Sequence, residues 1–437
     1  MSSARQKRAA GLRNTAMPDA MPHGSQPQTQ PEPPEKKRLR HPVYWTCFAL
    51  LCVFLLIKWL AYSSQSLSDR YLNNLTPKMD SAISRITYLC PLPIYELTMF
   101  AAILGGFVLV VLLILLIFLR KKAGYRKFMG ALMRIVLVIA VICFAESEIF
   151  DRRMLSSSVL GHPDYEAHEH TLEEVCALYN QYIADINETI VLVDRDENHH
   201  LIRPDKETVR AELSVSRQKL QGEFSRFQID PPDEKTSLMT PYLDTFGTSA
   251  YTVSPSMEIV FSEIYENHAT FASVYAHEFS HFCGYWREDE ANYLAYRLCM
   301  ASDNPNIRYA ALMDLFYYVS EALDQAYFGT TDESQMDQYT PEYNAFCDTL
   351  TQFTDPETLF LFICDRSGNY KLYHELREEE VVVDEKPEVG TLPDAVAEIV
   401  TDAADSHWEN LQDKLGAHYY DGVVQLLLDE RAGALRS

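Results

Sequence analysis

The chain has 437 residues, enough for about two to four domains of ~100–200 residues each. Its 38 Lys and Arg against 62 Asp and Glu leave a formal charge of −24. That excludes a general nucleic-acid binder, which needs a basic face to displace counterions from phosphates.

The charge is unevenly divided. Residues 1–145 hold 18 basic and 6 acidic side chains, a net of +12, and residues 146–437 hold 20 and 56, a net of −36. The nine Cys form no CxxC pair, which argues against a zinc ribbon or a disulfide scaffold. There is no Walker A, GxGxxG or GxSxG motif, so no nucleotide or serine-hydrolase site is expected.

Residues 1–42 are rich in Pro, Gln, Ser, Lys and Arg without apolar periodicity, and read as a disordered basic tail. A membrane region is expected over 43–145, with spans at 43–62, 97–119 and 128–145. Tyr44, Trp45, Trp59 and Tyr62 mark the two interfaces of the first span. The second has no charge. The third contains Arg134, and a re-entrant or interfacial course is the alternative there.

Lys and Arg crowd the N-terminal tail and the loop Arg120–Lys127, while the loop between the first two spans has only Arg70, Lys78 and Arg85. Positive charge stays inside. The tail is therefore expected in the cytoplasm and residues 146–437 outside it, on a multi-pass protein of the cell membrane.

In that extracytoplasmic part, helices are expected over 171–187, 206–223, 267–283, 287–302, 307–328 and 395–415, with a last one holding 422–428. Thr171 and Glu174 make a capping box. The β-branched and aromatic residues of 248–261 predict one or two strands. The acidic, Pro-containing segment 378–392 reads as a loop or edge strand. The class is α+β, mainly α, with a small sheet.

Candidate chemistry lies at His277-Glu278-Phe279-Ser280-His281. Two His four apart on a helix project from one face and can share one Zn²⁺. Glu278 stands beside the first and can serve as general base toward a water activated by the ion. Gly284 stands where a helix-ending left-handed residue belongs.

A third ligand is expected from the next helix. Glu288 precedes Ala291 and Ala295 of its apolar stripe and points inward with them, whereas Glu290 is turned to another face and is held in reserve. Asn292, one turn on, can hydrogen-bond a ligand histidine. Two His, one Glu and an open fourth position make a hydrolytic zinc site.

HEFSH, the glycine turn and Glu288-Asp289-Glu290-Ala291-Asn292 resemble the gluzincin metallopeptidases, whose third ligand is the first Glu of an E-x-x-A-[DN] helix. The spacing of six residues between His281 and Glu288 is shorter than in many of them. The chain from Val43 to Leu428 also resembles an uncharacterised bacterial family of three-span, membrane-anchored zincin-like metallopeptidases. The likeness runs through Pro91–Glu96, the strand-like segment before HExxH, the zinc motif and the final V-V-x-L-L helix. It implies a zincin-like catalytic domain that hydrolyses peptide bonds. It also offers Tyr420, before the V-V helix, as an oxyanion donor, although a core or surface tyrosine is the plainer reading. The strand-like Tyr251–Phe261 can line the cleft and pair with an extended peptide.

The expected function is thus a zinc metallopeptidase acting on a peptide or protein substrate outside the cytoplasm, with the lipid bilayer as its other partner. The alternative is a catalytically silent membrane sensor or binding protein that keeps the fold. Asp194-x-Asp196-x-Asn198 begins like a calcium loop, but position 6 is His199 rather than Gly and position 12 is Asp205 rather than Glu, so a polar turn is expected. His162, His168 and His170 read as a surface loop rather than a second metal site, and the five Cys after the third span as packing residues.

Overall fold

The computed structural model describes residues 42–435, apart from 120, 156–157, 163–164, 246–247, 255, 264–268, 332–334, 371–372 and 374–421. Residues 1–41 of the tail expected over 1–42, the acidic segment 378–392, the helix at 395–415 and Tyr420 lie outside the described residues, and Pro42 begins the first helix.

The described chain is mostly helical. Helix α1 (Pro42–Ser63) carries the first apolar run. Two short helices, α2 (Gln65–Arg70) and α3 (Thr76–Thr87), are joined by a π-helical turn at Tyr71–Leu75. Helix α4 (Ile94–Leu119) and the Ala123–Phe144 part of α5 (Ala123–Leu155) are long and apolar enough to cross a membrane. The apolar stretch of α1, Pro42–Leu56, is shorter.

The polar half begins with α6 (Leu172–Ile190), whose Thr171–Glu174 capping box is formed in both directions. Helix α7 (Lys206–Leu220) is capped by Asp205. Three short strands follow, with a brief helix α8 (Thr240–Thr245) after the first. They are β1 (Lys235–Thr236), β2 (Ala250–Val253) and β3 (Glu258–Phe261), in the order β1-β3-β2. β1 runs parallel to β3, and β2 antiparallel to it, with Tyr251 opposite Val260 and Thr252 opposite Ile259.

Helices α9 (Phe271–Phe282), α10 (Glu288–Met300) and α11 (Pro305–Phe328) form the core with α6 and the last helix, α14 (Gly422–Arg431). Two further short helices are α12 (Pro341–Cys347) and α13 (Pro356–Ser367). Helix α9 packs on β2, β3, α10 and α11. Its buried face is aromatic. Phe227 stacks on Phe279 at 6.0 Å, and Phe261 on Tyr275 at 6.1 Å. Burying each such ring contributes ~1.5–3 kcal/mol. Ala276 of α9 and Ala291 and Ala295 of α10 are all buried.

The segment around Pro91–Glu96 ties the apolar helices to this core through buried polar contacts. Glu258 accepts hydrogen bonds from the backbone N–H groups of Ile94 (3.0 Å) and Tyr95 (3.2 Å), at the exposed N-terminal donors of α4. Lys235 pairs with the same carboxylate and donates to the carbonyls of Thr87 (3.0 Å) and Leu92 (3.2 Å). Glu96 accepts from Ser237 Oγ at 2.6 Å, Tyr251 OH at 2.7 Å and the Leu238 N–H at 2.7 Å. Asp69 likewise holds Ser158 through its hydroxyl (2.6 Å) and N–H (3.1 Å).

Candidate metal centre

His277 and His281 stand one turn apart on α9, their rings 4.6 Å apart and nearly perpendicular. The helix ends at Cys283, and Gly284 takes φ +94°, a conformation that favours glycine. The reversal is closed by Gly284 N–H to His281 O (2.8 Å) and Tyr285 N–H to Ser280 O (3.1 Å). It returns the Tyr285 carbonyl to within 2.7 Å of His281 Nδ1, and stacks Trp286 on the His281 ring at 5.9 Å.

Helix α10 then starts at Glu288. Its Oε2 lies 3.1 Å from His277 Nε2 and its Oε1 3.5 Å from His281 Nε2. One donor atom from each of the three residues lies within 4.8 Å of the others.

The far side of each ring is occupied. His277 Nδ1 is 2.7 Å from Asn292 Oδ1, and His281 Nδ1 is 2.7 Å from the Tyr285 carbonyl. A carbonyl oxygen only accepts, so both Nδ1 atoms carry hydrogen and both Nε2 atoms turn toward Glu288. A metal bound at Nε2 would displace the proton from that atom and leave the one on Nδ1 in place.

The partners shift one another's protonation. Burial opposes charge on His277, but the Glu288 carboxylate outweighs it and raises the imidazole to about 9. Glu288 is held well below the usual carboxylate range. Its own burial works the other way, and the charges and hydrogen bonds of His281 and His277 prevail.

Glu278 is buried beside this group, and its Oε2 has no hydrogen-bond partner among the described residues. Burial pushes its carboxyl above the ordinary range. Its backbone carbonyl accepts from Thr252 Oγ1 at 3.0 Å, which fixes it against β2.

Glu290 faces elsewhere. Its Oε1 accepts the Leu160 N–H at 2.5 Å, and burial raises its carboxyl to about 7. The structure therefore gathers His277, His281, Glu288 and Asn292, leaves Glu278 alongside, and turns Glu290 away. Tyr420 is outside the described residues. Sequence reasoning missed the Tyr285 carbonyl, Trp286 and Thr252. A backbone carbonyl leaves no residue-type signal, and Thr252 reaches the helix only through the register of the sheet.

The motifs set aside also have places. Asp196 Oδ1 accepts from the N–H groups of Asn198 (2.9 Å) and His200 (2.8 Å), which closes a polar turn. Cys176, Cys283, Cys299, Cys347 and Cys364 are free thiols, three of them buried. The surface-loop reading of His170 is corrected. Its ring is buried and lies 3.0 Å from the fully buried Asp429, which also accepts from Tyr165 OH at 2.6 Å. A carboxylate from the last helix, invisible to local pattern, draws that stretch inward.

No curated protein and no solved structure matches the chain. A family model described as "Protein of unknown function (DUF3810)" matches residues 71–428, from the turn before α3 to the last helix, and the chain belongs to that family.

Proposed function

We propose that this protein is a membrane-anchored zinc metallopeptidase that hydrolyses peptide bonds outside the cytoplasm. One observation carries the reading. Three donor atoms of the right chemistry lie within 4.8 Å of one another, with both histidine Nδ1 atoms already engaged. The donor set fits Zn²⁺, which takes imidazole nitrogen and carboxylate oxygen and keeps a position open in hydrolytic sites. The unpartnered Glu278 Oε2 beside it suits the same assignment.

His277, His281 and Glu288 would hold the ion, which when bound supplies Lewis acidity toward a carbonyl and toward water. Asn292 and the Tyr285 carbonyl orient the two rings. Glu278 takes a proton from the attacking water and returns it to the leaving amine. Thr252 holds the Glu278 backbone in place, and the adjoining strand β2 offers a surface on which an extended peptide can lie.

In this reading α1 is a third crossing with α4 and α5. The Lys/Arg bias puts the N-terminus in the cytoplasm and the polar half outside. Alkaline-phosphatase fusions after Arg126 and after Glu146 test the orientation, with activity expected only from the second.

The test of function is metal analysis and peptide cleavage with the purified full-length chain. About one zinc per chain is expected, with hydrolysis lost to a chelator and restored by zinc. Because the ion binds only the folded site, chelation should also lower the melting temperature. A chain that retains no zinc would overturn the reading.

A further inference from the structure

Helix α3 buries a polar side. The side chains it buries against the rest of the protein are Thr76, Asp80, Ser84 and Thr87, with Ile83 half-buried against the core. Its exposed side chains are Lys78, Met79, Ala82, Arg85 and Ile86, and the following turn exposes Leu89, which is 83 % accessible. A helix at a water-facing surface buries its apolar side chains instead. An outward face of this kind is satisfied when it meets an apolar phase.

The charges are sorted in the same way. Asp69 and Asp80, the acidic residues between α1 and α4, are buried. Lys78 and Arg85 are exposed, and neither meets a carboxylate among the described residues. The two basic side chains line a cavity of about 420 Å³ with Asn73, Ser81 and Gln228. Its lining is thus rich in donors suited to a phosphodiester.

Connectivity says what covers this face. Six residues separate Thr87 from Ile94, where α4 begins. One ammonium, Lys235 Nζ, reaches the carbonyls of both Thr87 (3.0 Å) and Leu92 (3.2 Å), so the C-terminal end of α3 lies beside the start of α4, at the depth where α4 enters its apolar surroundings. Glu258 and Lys235 clamp both ends of that short link to the sheet.

We propose that α3 and the turn after it form a phospholipid site, seated in the leaflet from which α4 enters the bilayer. Lys78 and Arg85 hold an anionic headgroup in the cavity, and Ile86 and Leu89 enter the acyl region beside it. The site reaches toward the candidate metal centre. Arg226 donates through Nε to Asn73 Oδ1 of the cavity wall and through Nη1 to the Gly284 carbonyl of the glycine turn, each at 2.7 Å. The proposal rests on the membrane-spanning reading of α4.

The test uses the full-length chain in bilayer nanodiscs of phosphatidylcholine and phosphatidylglycerol. A photoreactive benzoylphenylalanine is placed at Ile86, Leu89, Leu104 in α4, or Val191, an exposed apolar residue just beyond α6. Lipid adducts are expected at the first three positions and not at Val191. Adducts at Leu104 without any at Ile86 and Leu89 overturn the proposal and leave α4 in the membrane. A lack of adducts at Leu104 overturns the membrane reading itself. Crosslinks from Ile86 or Leu89 to a second copy of the chain would place protein there and also overturn it.

The headgroup is tested by native mass spectrometry of the Lys78→Gln/Arg85→Gln variant, which removes two exposed charges and should leave the melting temperature unchanged. Preferential retention of phosphatidylglycerol should fall about thirtyfold, the combined effect of two surface charges. Unchanged retention would overturn the headgroup assignment.

Discussion

Glu96 and Tyr251 lie 155 residues apart in the chain and share a hydrogen bond of 2.7 Å. The next residue of the same strand, Thr252, donates to the backbone carbonyl of Glu278. The first turn of α4 is therefore joined to the candidate general base through one short strand. The candidate site is thereby tied to the start of the apolar helix, and the side chains around it can be tested singly.

The proposed base is the first. Glu278→Gln keeps the shape of the side chain but cannot accept a proton. Zinc content measured by mass spectrometry should be unchanged, while hydrolysis of a model peptide falls about 10²–10⁴-fold. Turnover that survives this substitution would move the base to another residue.

Glu288 and Glu290 make a paired test. Glu288 faces both imidazoles, and Glu290 holds the Leu160 N–H. Glu288→Ala should release zinc, since it removes one of three protein ligands. Glu290→Ala should retain zinc and lower the melting temperature, because it strips a buried backbone donor of its acceptor, at a cost of ~1–3 kcal/mol. The reverse pattern of metal loss would reassign the third ligand.

Local periodicity made much of this site legible. The i, i+4 spacing put His277 and His281 on one face, and the stripe through Ala291 and Ala295 chose Glu288 over Glu290 for orientation. Gly284 was readable because only a positive φ lets α9 reverse there. The Thr171–Glu174 box was readable for the same local reason. What escaped was long-range. Glu290 finds its partner 130 residues away and Glu96 finds Ser237 141 residues away. The helices between the first two apolar runs were unforeseen, since α3 buries its polar side and an apolar-periodicity search looks for the reverse. His170 looked exposed until a carboxylate 259 residues later reached it.

Asn292 offers a test of orientation apart from ligation. Its Oδ1 takes the His277 Nδ1 hydrogen. Asn292→Ala should weaken zinc affinity about 10–100-fold, the usual effect of losing such a partner, when measured by competition with a chromogenic chelator. Asn292→Asp keeps an acceptor at that place and should restore most of the affinity. Equal affinity in both variants and the parent would mean that the ring is positioned by packing alone.

The clamp between β3 and α4 makes the last prediction. Glu258 is fully buried, pairs with Lys235 and accepts two N–H groups at the start of α4. Glu258→Ala leaves a buried ammonium without its counter-charge and should cost ~3–5 kcal/mol, seen as a lowered melting temperature of the full-length chain in detergent. Lys235 keeps the carbonyls of Thr87 and Leu92 and the face of Tyr88, 4.8 Å away, so the loss is partial. Adding Lys235→Met removes the stranded charge, and the double variant should be less destabilised than the sum of the single ones by ~0.5–3 kcal/mol. Strict additivity would show that the two groups do not act as a pair.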